Sequence, residues 1–269
     1  MNQETREKEK TAGSKIETNL RNRDLLIRYM EEQSALGNFE KIDLNNLSSK
    51  QIESILDATN TINEFRELMM YYSCCMDEVT TKFQVMNKEL SIVQNRNPFE
   101  SIKSRLKTPV SIVEKMQRKG FPFTIESIEK NLNDVAGVRV ICSFIEDIYM
   151  LRDALLAQDD VHLVLEKDYI KNPKPNGYRS LHLIIETPIY LTSGKKLVRC
   201  EVQLRTIAMD FWASLDHKIK YKQDIPNEES IEEEMKYSAE MINQLDLRMQ
   251  QIHNKIRKAK DKPYAKEKN

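Results

Sequence analysis

The chain is 269 residues long, 40% hydrophobic and 31% charged, with 42 basic residues against 42 acidic ones. That apolar content is enough for one or two packed domains, and the charge, above the ordinary ~25%, implies long solvated helical faces. Zero net charge argues against whole-molecule attraction to nucleic acid or to a membrane surface, and no run reaches the ~18–20 apolar residues of a membrane span.

The N-terminal stretch MNQETREKEKTAGSK is polar throughout and lacks the apolar segment of a signal peptide, so a cytoplasmic protein is expected. The chain reads as disordered to about Leu20, then as a loose extension with one or two short helices to about Asn60. From Ile62 the residues Phe65, Met69, Tyr72, Met76, Val79, Phe83, Met86, Leu90 and Val93 continue a 3-4 spacing, the seam of one long helix. It packs either on the interior or on a partner. A second seam, Ile231, Met235, Ser238, Ile242, Leu245, Met249, Ile252 and Ile256, lies between polar stretches and suits partner packing at least as well. The four cysteines, Cys74, Cys75, Cys142 and Cys200, form no CxxC pair, and reduced buried thiols are expected.

Between the seams the pattern changes. Six basic residues against one acid fill Lys103 to Lys119. Lys107, Ser111, Lys115 and Arg118 recur at helical spacing, on one face of a helix that ends at Gly120. A short helix follows over about Thr124–Leu132, with Thr124 as its cap. Then come VRVICSF (strand), EDIYMLRDALLAQ (helix), VHLVLEKDYI (strand), the loop KNPKPNGYR, SLHLIIETPIYL (strand), TSGKK (turn), LVRCEVQLRT (strand) and IAMDFWASLDHKIKYK (helix). The helix between the first two strands predicts a parallel crossover there. The short glycine turn predicts an antiparallel hairpin for the last two. The fold class is α+β, a mixed, partly antiparallel sheet flanked by helices, with long N- and C-terminal helices.

Side chains alternate across a strand. Val198, Cys200, Val202 and Leu204 therefore oppose Arg199, Glu201, Gln203 and Arg205, and equivalent alternations run through the other strands. One sheet face is expected to be apolar, while the other gathers Arg139, His182, Glu186, Glu201, Gln203 and Arg205. Mixed charge signs suit a phosphorylated ligand with a metal better than nucleic acid. Asp134, before the first strand, and Glu201, inside the last, are oxygen donors of the kind Mg2+ takes alongside substrate phosphates. Lys107, Lys115 and Arg118 suit a polyphosphate. In the loop, Gly177 permits a tight turn, Tyr178 offers a ring for a purine, and Lys171, Lys174, Arg179 and His182 offer donors for phosphate. No GxxxxGK[ST], GxGxxG or HExxH occurs, and none of the four histidines precedes an aspartate, which argues against a histidine-and-aspartate phosphohydrolase site.

RxKxxxSxxxKxxRK (Arg105–Lys119), DVAGVR (Asp134–Arg139), KDYIxxPKPNGYRSLH (Lys167–His182) and EVQLRT (Glu201–Thr206) follow one another in this order. Together they resemble the synthetase domain of the RelA/SpoT alarmone synthetases, which is related in fold to the nucleotidyltransferases. The likeness spans about Ile62 to Gln223, and the chain's length suits the small alarmone synthetases. The resemblance implies a GTP/GDP pyrophosphokinase that moves the β,γ-pyrophosphate of ATP to the 3′-hydroxyl of GTP or GDP, making (p)ppGpp for stringent-response signalling. It implies that Arg105 and Arg139 sandwich adenine, that Lys107, Ser111, Lys115 and Arg118 hold the ATP phosphates, and that Asp134 and Glu201 bind Mg2+ and are catalytic. It implies Tyr178 on guanine, with Lys167, Lys174, His182, Gln203, Arg205 and His217 around the acceptor. It implies a homotetramer through the flanking helices, with a guanosine polyphosphate or single-stranded RNA as candidate allosteric partners. The expected layout is an extension over 1–60, a synthetase domain over 61–223 and an oligomerising helix with a charged tail over 224–269. The rival readings are an altered acceptor such as tRNA ends, and a non-catalytic nucleotide- or RNA-binding regulator.

Overall fold

The computed structural model describes residues 49–93, 97–220 and 228–260. The expectations for residues 1–48 and for the tail after Lys260 lie outside them. Among the described residues six helices and five strands follow in the order α1 (Ser49–Val93), β1 (Phe99–Leu106), α2 (Pro109–Lys119), α3 (Ile125–Asn131), β2 (Ala136–Cys142), α4 (Ile145–Leu156), β3 (His162–Asp168), β4 (Leu181–Leu191), β5 (Gly194–Thr206), α5 (Ile207–Lys220) and α6 (Glu228–Lys260). Two compact units divide them. Of the described residues, one takes those up to Cys74 together with Leu106–Val135, and the other takes those of Cys75–Arg105 and from Ala136 onward.

In the first unit, α1 buries Phe65 and Tyr72 of the expected seam, and Leu68 in place of Met69, which is half-buried. Helix α2 starts where Thr108, in extended conformation, accepts the Ser111 amide, and Pro109 supplies the preset φ of a first helical position. It stops at Gly120, whose φ of 66° is the left-handed cap that glycine adopts without strain. Ile112, Val113 and Met116 form its buried face. Helix α3 repeats the device, with Thr124 accepting the Ser127 amide.

In the second unit, the sheet runs β1-β2-β5-β4-β3. β2 and β5 are parallel, and β4 and β5 form the expected antiparallel hairpin. The expected crossover from β2 to β3 does run parallel in sense, but the β4–β5 hairpin inserts between the two strands, and β3 pairs antiparallel with β4 at the far edge. Strand β1 is an element that the sequence reading did not contain. Its residues FESIKSRL show no period-2 alternation, because as an edge strand it buries only Phe99. Phe99 meets Phe83 of α1 edge-on, with ring centroids 6.3 Å apart. Val138, Val140, Leu181, Leu183, Val202 and Leu204 form the buried sheet face, each 1% exposed or less.

The α1 seam packs inward along Phe65–Met86, while Val93 at its end is 75% exposed. Helix α6 behaves oppositely. Ala239 and Asp246 are buried, Asp246 accepting from Thr206 Oγ1 at 2.6 Å, and His253 stacks on Phe144 with centroids 4.1 Å apart. Leu245, Met249, Ile252 and Ile256 of the apolar seam are exposed, while Ile231, Met235 and Ile242 are half-buried. Among the described residues no helix is long and apolar enough to cross a membrane.

Phe83 is fully buried, so Phe83→Ala removes a large core side chain and leaves a cavity. The expected cost is about 3–5 kcal/mol, read as a shift in the denaturant midpoint at unchanged slope.

Candidate functional site

The first unit carries an acid held by two lysines. Asp134 follows α3 and receives Lys115 Nζ at 2.7 Å and Lys107 Nζ at 3.2 Å, one on each oxygen. Burial pushes its carboxyl pKa up, but the two ammonium groups outweigh burial and hold it below the usual value. Lys107 does not lie on the helix face expected for it. It follows β1 and precedes the Thr108 cap, where its backbone amide bonds Val135 O at 2.8 Å. Ser111 is tied to Thr108, and exposed Arg118 stands in the last turn of α2.

The second unit carries a longer network on the polar sheet face. Register places His182 opposite Gln203, and Gln203 opposite Arg139, in one row across β4, β5 and β2. Glu201 stands two residues along β5. Its Oε1 lies 3.0 Å from His182 Nδ1, and its Oε2 accepts from Gln203 Nε2 at 3.0 Å. The Gln203 carbonyl in turn accepts from Arg205 at 3.1 Å and Arg139 at 3.3 Å. Tyr178 closes the ring: its hydroxyl accepts from Arg205 and lies 2.7 Å from His182 Nε2. Arginine can only donate, so the phenol oxygen is the acceptor towards Arg205, and the imidazole bridges that hydroxyl to Glu201 through its two ring nitrogens.

The loop that presents Tyr178 is braced on two sides. At its start Asp168 accepts the Ile170 and Lys171 amides and the Tyr149 hydroxyl. At its turn Gly177 has φ 86°, and a Cβ there would stand 2.4 Å from that of Ala239 on α6. Lys174 Nζ lies over the rings of Tyr178 and Tyr169, at 4.6 and 4.8 Å. Arg179 does not face this cluster: it pairs with Glu240 of α6 at 3.0 Å. Lys171 pairs with Asp168 at 3.4 Å. Lys167 is exposed on β3, in register with His182. Arg105 is exposed on β1 and near enough to Arg139 for its charge to lower that group's pKa, behind the larger effects of burial and Arg205. The side chain of His217 lies outside the described residues.

Four members escaped the sequence reading as site residues: Asp210, Ser180, Tyr169 and Lys103. Asp210 Oδ1 accepts from Arg205 at 3.2 Å and from Arg139 at 3.4 Å, and Lys103 stands 3.8 Å from its other oxygen. An acid in the first turn of a helix reads in sequence as a partner for the helix dipole, which disguised it. Ser180 is buried and bonds Arg205 Nε. Tyr169 lies edge-on to Tyr178 and His182.

Cations, fixed donors and an aromatic ring on a polar sheet face define a class of site suited to flat, phosphorylated ligands. Residues 104–226 match the family model described as a region found in RelA / SpoT proteins. The chain is 44% identical over 202 residues to the GTP pyrophosphokinase YwaC of Bacillus subtilis, covering 74% of this chain and 95% of that one. It is 32% identical over 196 residues to the GTP pyrophosphokinase YjbM of the same organism, covering 73% and 92%. The crystal structure of small alarmone synthetase 2 from B. subtilis aligns with TM-score 0.64 at 44% identity, over 71% of this chain and 99% of that one. Small alarmone synthetase 1 from B. subtilis bound to its product pppGpp aligns with TM-score 0.66 at 32% identity, over 71% and 97%. The chain belongs to the RelA/SpoT family, in its small alarmone synthetase group.

An acid whose pKa is depressed on folding adds stability that is present above its unfolded value and is lost as pH falls through the folded one. Lys115→Met removes the nearer cation from Asp134. The Asp134 titration, followed by carbon-13 NMR of the carboxyl, should then move up, and the acid limb of the stability–pH curve should move up with it.

Proposed function

We infer that this chain is a GTP pyrophosphokinase that synthesises (p)ppGpp, transferring the β,γ-pyrophosphate of ATP to the 3′-hydroxyl of GTP or GDP and releasing AMP. The observation that carries the reading is the clamp on Glu201. An acid in the middle of a strand is held from both oxygens, by His182 and by Gln203, beside a tyrosine on a glycine turn. The relatives named as GTP pyrophosphokinases support it.

In this reading the acceptor's guanine stacks on Tyr178, whose anchored hydroxyl fixes the orientation of the ring. Lys174, poised over that ring, moves onto acceptor phosphate, with Lys167, His182, Gln203, Arg205 and His217 around the same nucleotide. Glu201 takes the proton from the 3′-hydroxyl. The 3′-oxygen forms its bond to the β-phosphorus as the bond from that phosphorus to the α,β-bridging oxygen breaks, and the bridging oxygen leaves with AMP. Arg105 and Arg139 receive the adenine, and Lys107, Ser111, Lys115 and Arg118 receive the ATP phosphates. Fixing both nucleotides turns a two-body collision into an internal step.

The family works with a divalent metal, and Mg2+ is our assignment, with Asp134 and Glu201 as its protein ligands. The donors fit a hard ion. Both are carboxylates, and Asp134 is held in its charged form. Among the described residues no group of three or more His, Cys, Asp or Glu gathers as a metal cluster. Mg2+ is commonly held by one or two carboxylates and completes its shell with water and substrate phosphate. When bound, the ion neutralises charge on the transferring phosphates.

The exposed apolar stripe of α6 supports association of copies, a homotetramer in this reading. A cytoplasmic location remains the expectation from the sequence. With labelled ATP, Mg2+ and GTP or GDP, chromatography should resolve guanosine penta- or tetraphosphate and AMP. Glu201→Gln should lower kcat by about 10²-fold or more, in line with loss of a general base, with the thermal transition unchanged; full activity in that variant would remove Glu201 from the chemistry. Leu245→Glu with Ile252→Glu should lower the mass seen by light scattering toward that of one chain.

A further inference from the structure

Arg139 and Arg205 come from neighbouring parallel strands and project on one sheet face, since Arg139 pairs in register with Gln203 and Ile141 with Arg205. They converge on the same two acceptor atoms, Gln203 Oε1 and Asp210 Oδ1. One of these is neutral and the other is a carboxylate. The two arginines are not equally held. Arg205 is 5% exposed in its side chain and also bonds Ser180 Oγ and the Tyr178 hydroxyl. Arg139 is 37% exposed, and its hydrogen bonds run to Gln203 and Asp210 alone among those the structure resolves for it. Its own pKa is depressed by burial first and then by the charge of Arg205, and Asp210 is the acid that opposes both. Two guanidinium groups this close repel, and the less firmly held one leaves unless a shared anion keeps it.

We propose that Asp210 is a positioning residue that pins the half-exposed Arg139 against the anchored Arg205 and thereby shapes the donor subsite, while leaving the acceptor subsite to Arg205's other bonds. The inference rests on the assignment of Arg139 to ATP made above. Asp210 touches no reacting atom in this account; it acts through Arg139. Lys103, 3.8 Å from the same carboxylate, adds a third cation from β1 and strengthens its hold on this edge of the sheet.

The consequence is an asymmetry that a general structural role does not produce. Asp210→Asn preserves size and the helix start but removes the charge. Arg205 stays in place through Ser180, Tyr178 and Gln203, and Arg139 swings free. The KM for ATP should rise about tenfold, a loss of one weakened positioning contact, with the KM for GTP or GDP within about twofold of wild type. Arg139→Ala combined with Asp210→Asn should be no worse than Arg139→Ala alone, because contacts in one chain of action are not additive. Asp210→Glu, which keeps the charge, should recover most of the ATP KM, and it carries the same comparison should the Asn variant fail to fold. A matching rise in both KM values, additive losses in the double variant, or an Asp210→Glu chain as impaired for ATP as the Asn one would each overturn the proposal. Calorimetric Kd values for ATP on the same variants separate the two levels of inference. A wild-type chain that binds ATP but transfers no pyrophosphate refutes the parent function, while the Asp210 effect on ATP affinity still stands or falls by itself.

Discussion

His182, Gln203 and Arg139 form one row because three strands hold one register: β4 antiparallel to β5, and β5 parallel to β2. Side-chain direction has a period of two, so slipping β5 by one residue would send Glu201, Gln203 and Arg205 into the apolar layer and bring Cys200, Val202 and Leu204 out. That layer prevents the slip. Leu181, Leu183, Val202 and Leu204 are fully buried beneath the polar row. The site's geometry is therefore held by the hydrophobic face opposite it more than by its own hydrogen bonds.

Each unit manages charge internally. Asp134 sits between two lysines in the first unit, and Asp210 sits among Lys103, Arg139 and Arg205 in the second. A protein of zero net charge can concentrate cations locally because acids are placed beside them. The same acids fix where the cations point before a ligand's charge arrives.

Much of this was legible in the sequence. Alternation in VRVICSF, SLHLIIE and LVRCEVQLRT identified both faces of the sheet, since period-2 patterning survives wherever one face is buried. The caps at Thr108, Thr124 and Gly120 are local devices, and Thr124 and Gly120 could be read from their neighbours. Three things could not be read. β1 is an edge strand with one buried residue, so it has no pattern to detect. Asp210 gains its role from arginines 5 and 71 positions away, which no local signal carries. The orientation of α6 was also hidden. Its apolar seam left interior and partner packing both open; the chain buries Ala239 and Asp246 against Gly177 and Thr206, and Leu245, Met249, Ile252 and Ile256 of the seam are left exposed. A seam shows that a helix has a sticky side without showing what the side meets.

The paired state of Lys107 and Lys115 bears on how affinity responds to ionic strength. A phosphate that lands on free surface lysines expels the mobile counterions condensed around them, and the entropy of that release makes binding fall steeply as salt is added. Here the counterion is Asp134, fixed to the backbone and unable to diffuse away. An anion that takes over these two lysines displaces a tethered carboxylate, so the number of cations it touches overstates its sensitivity to salt.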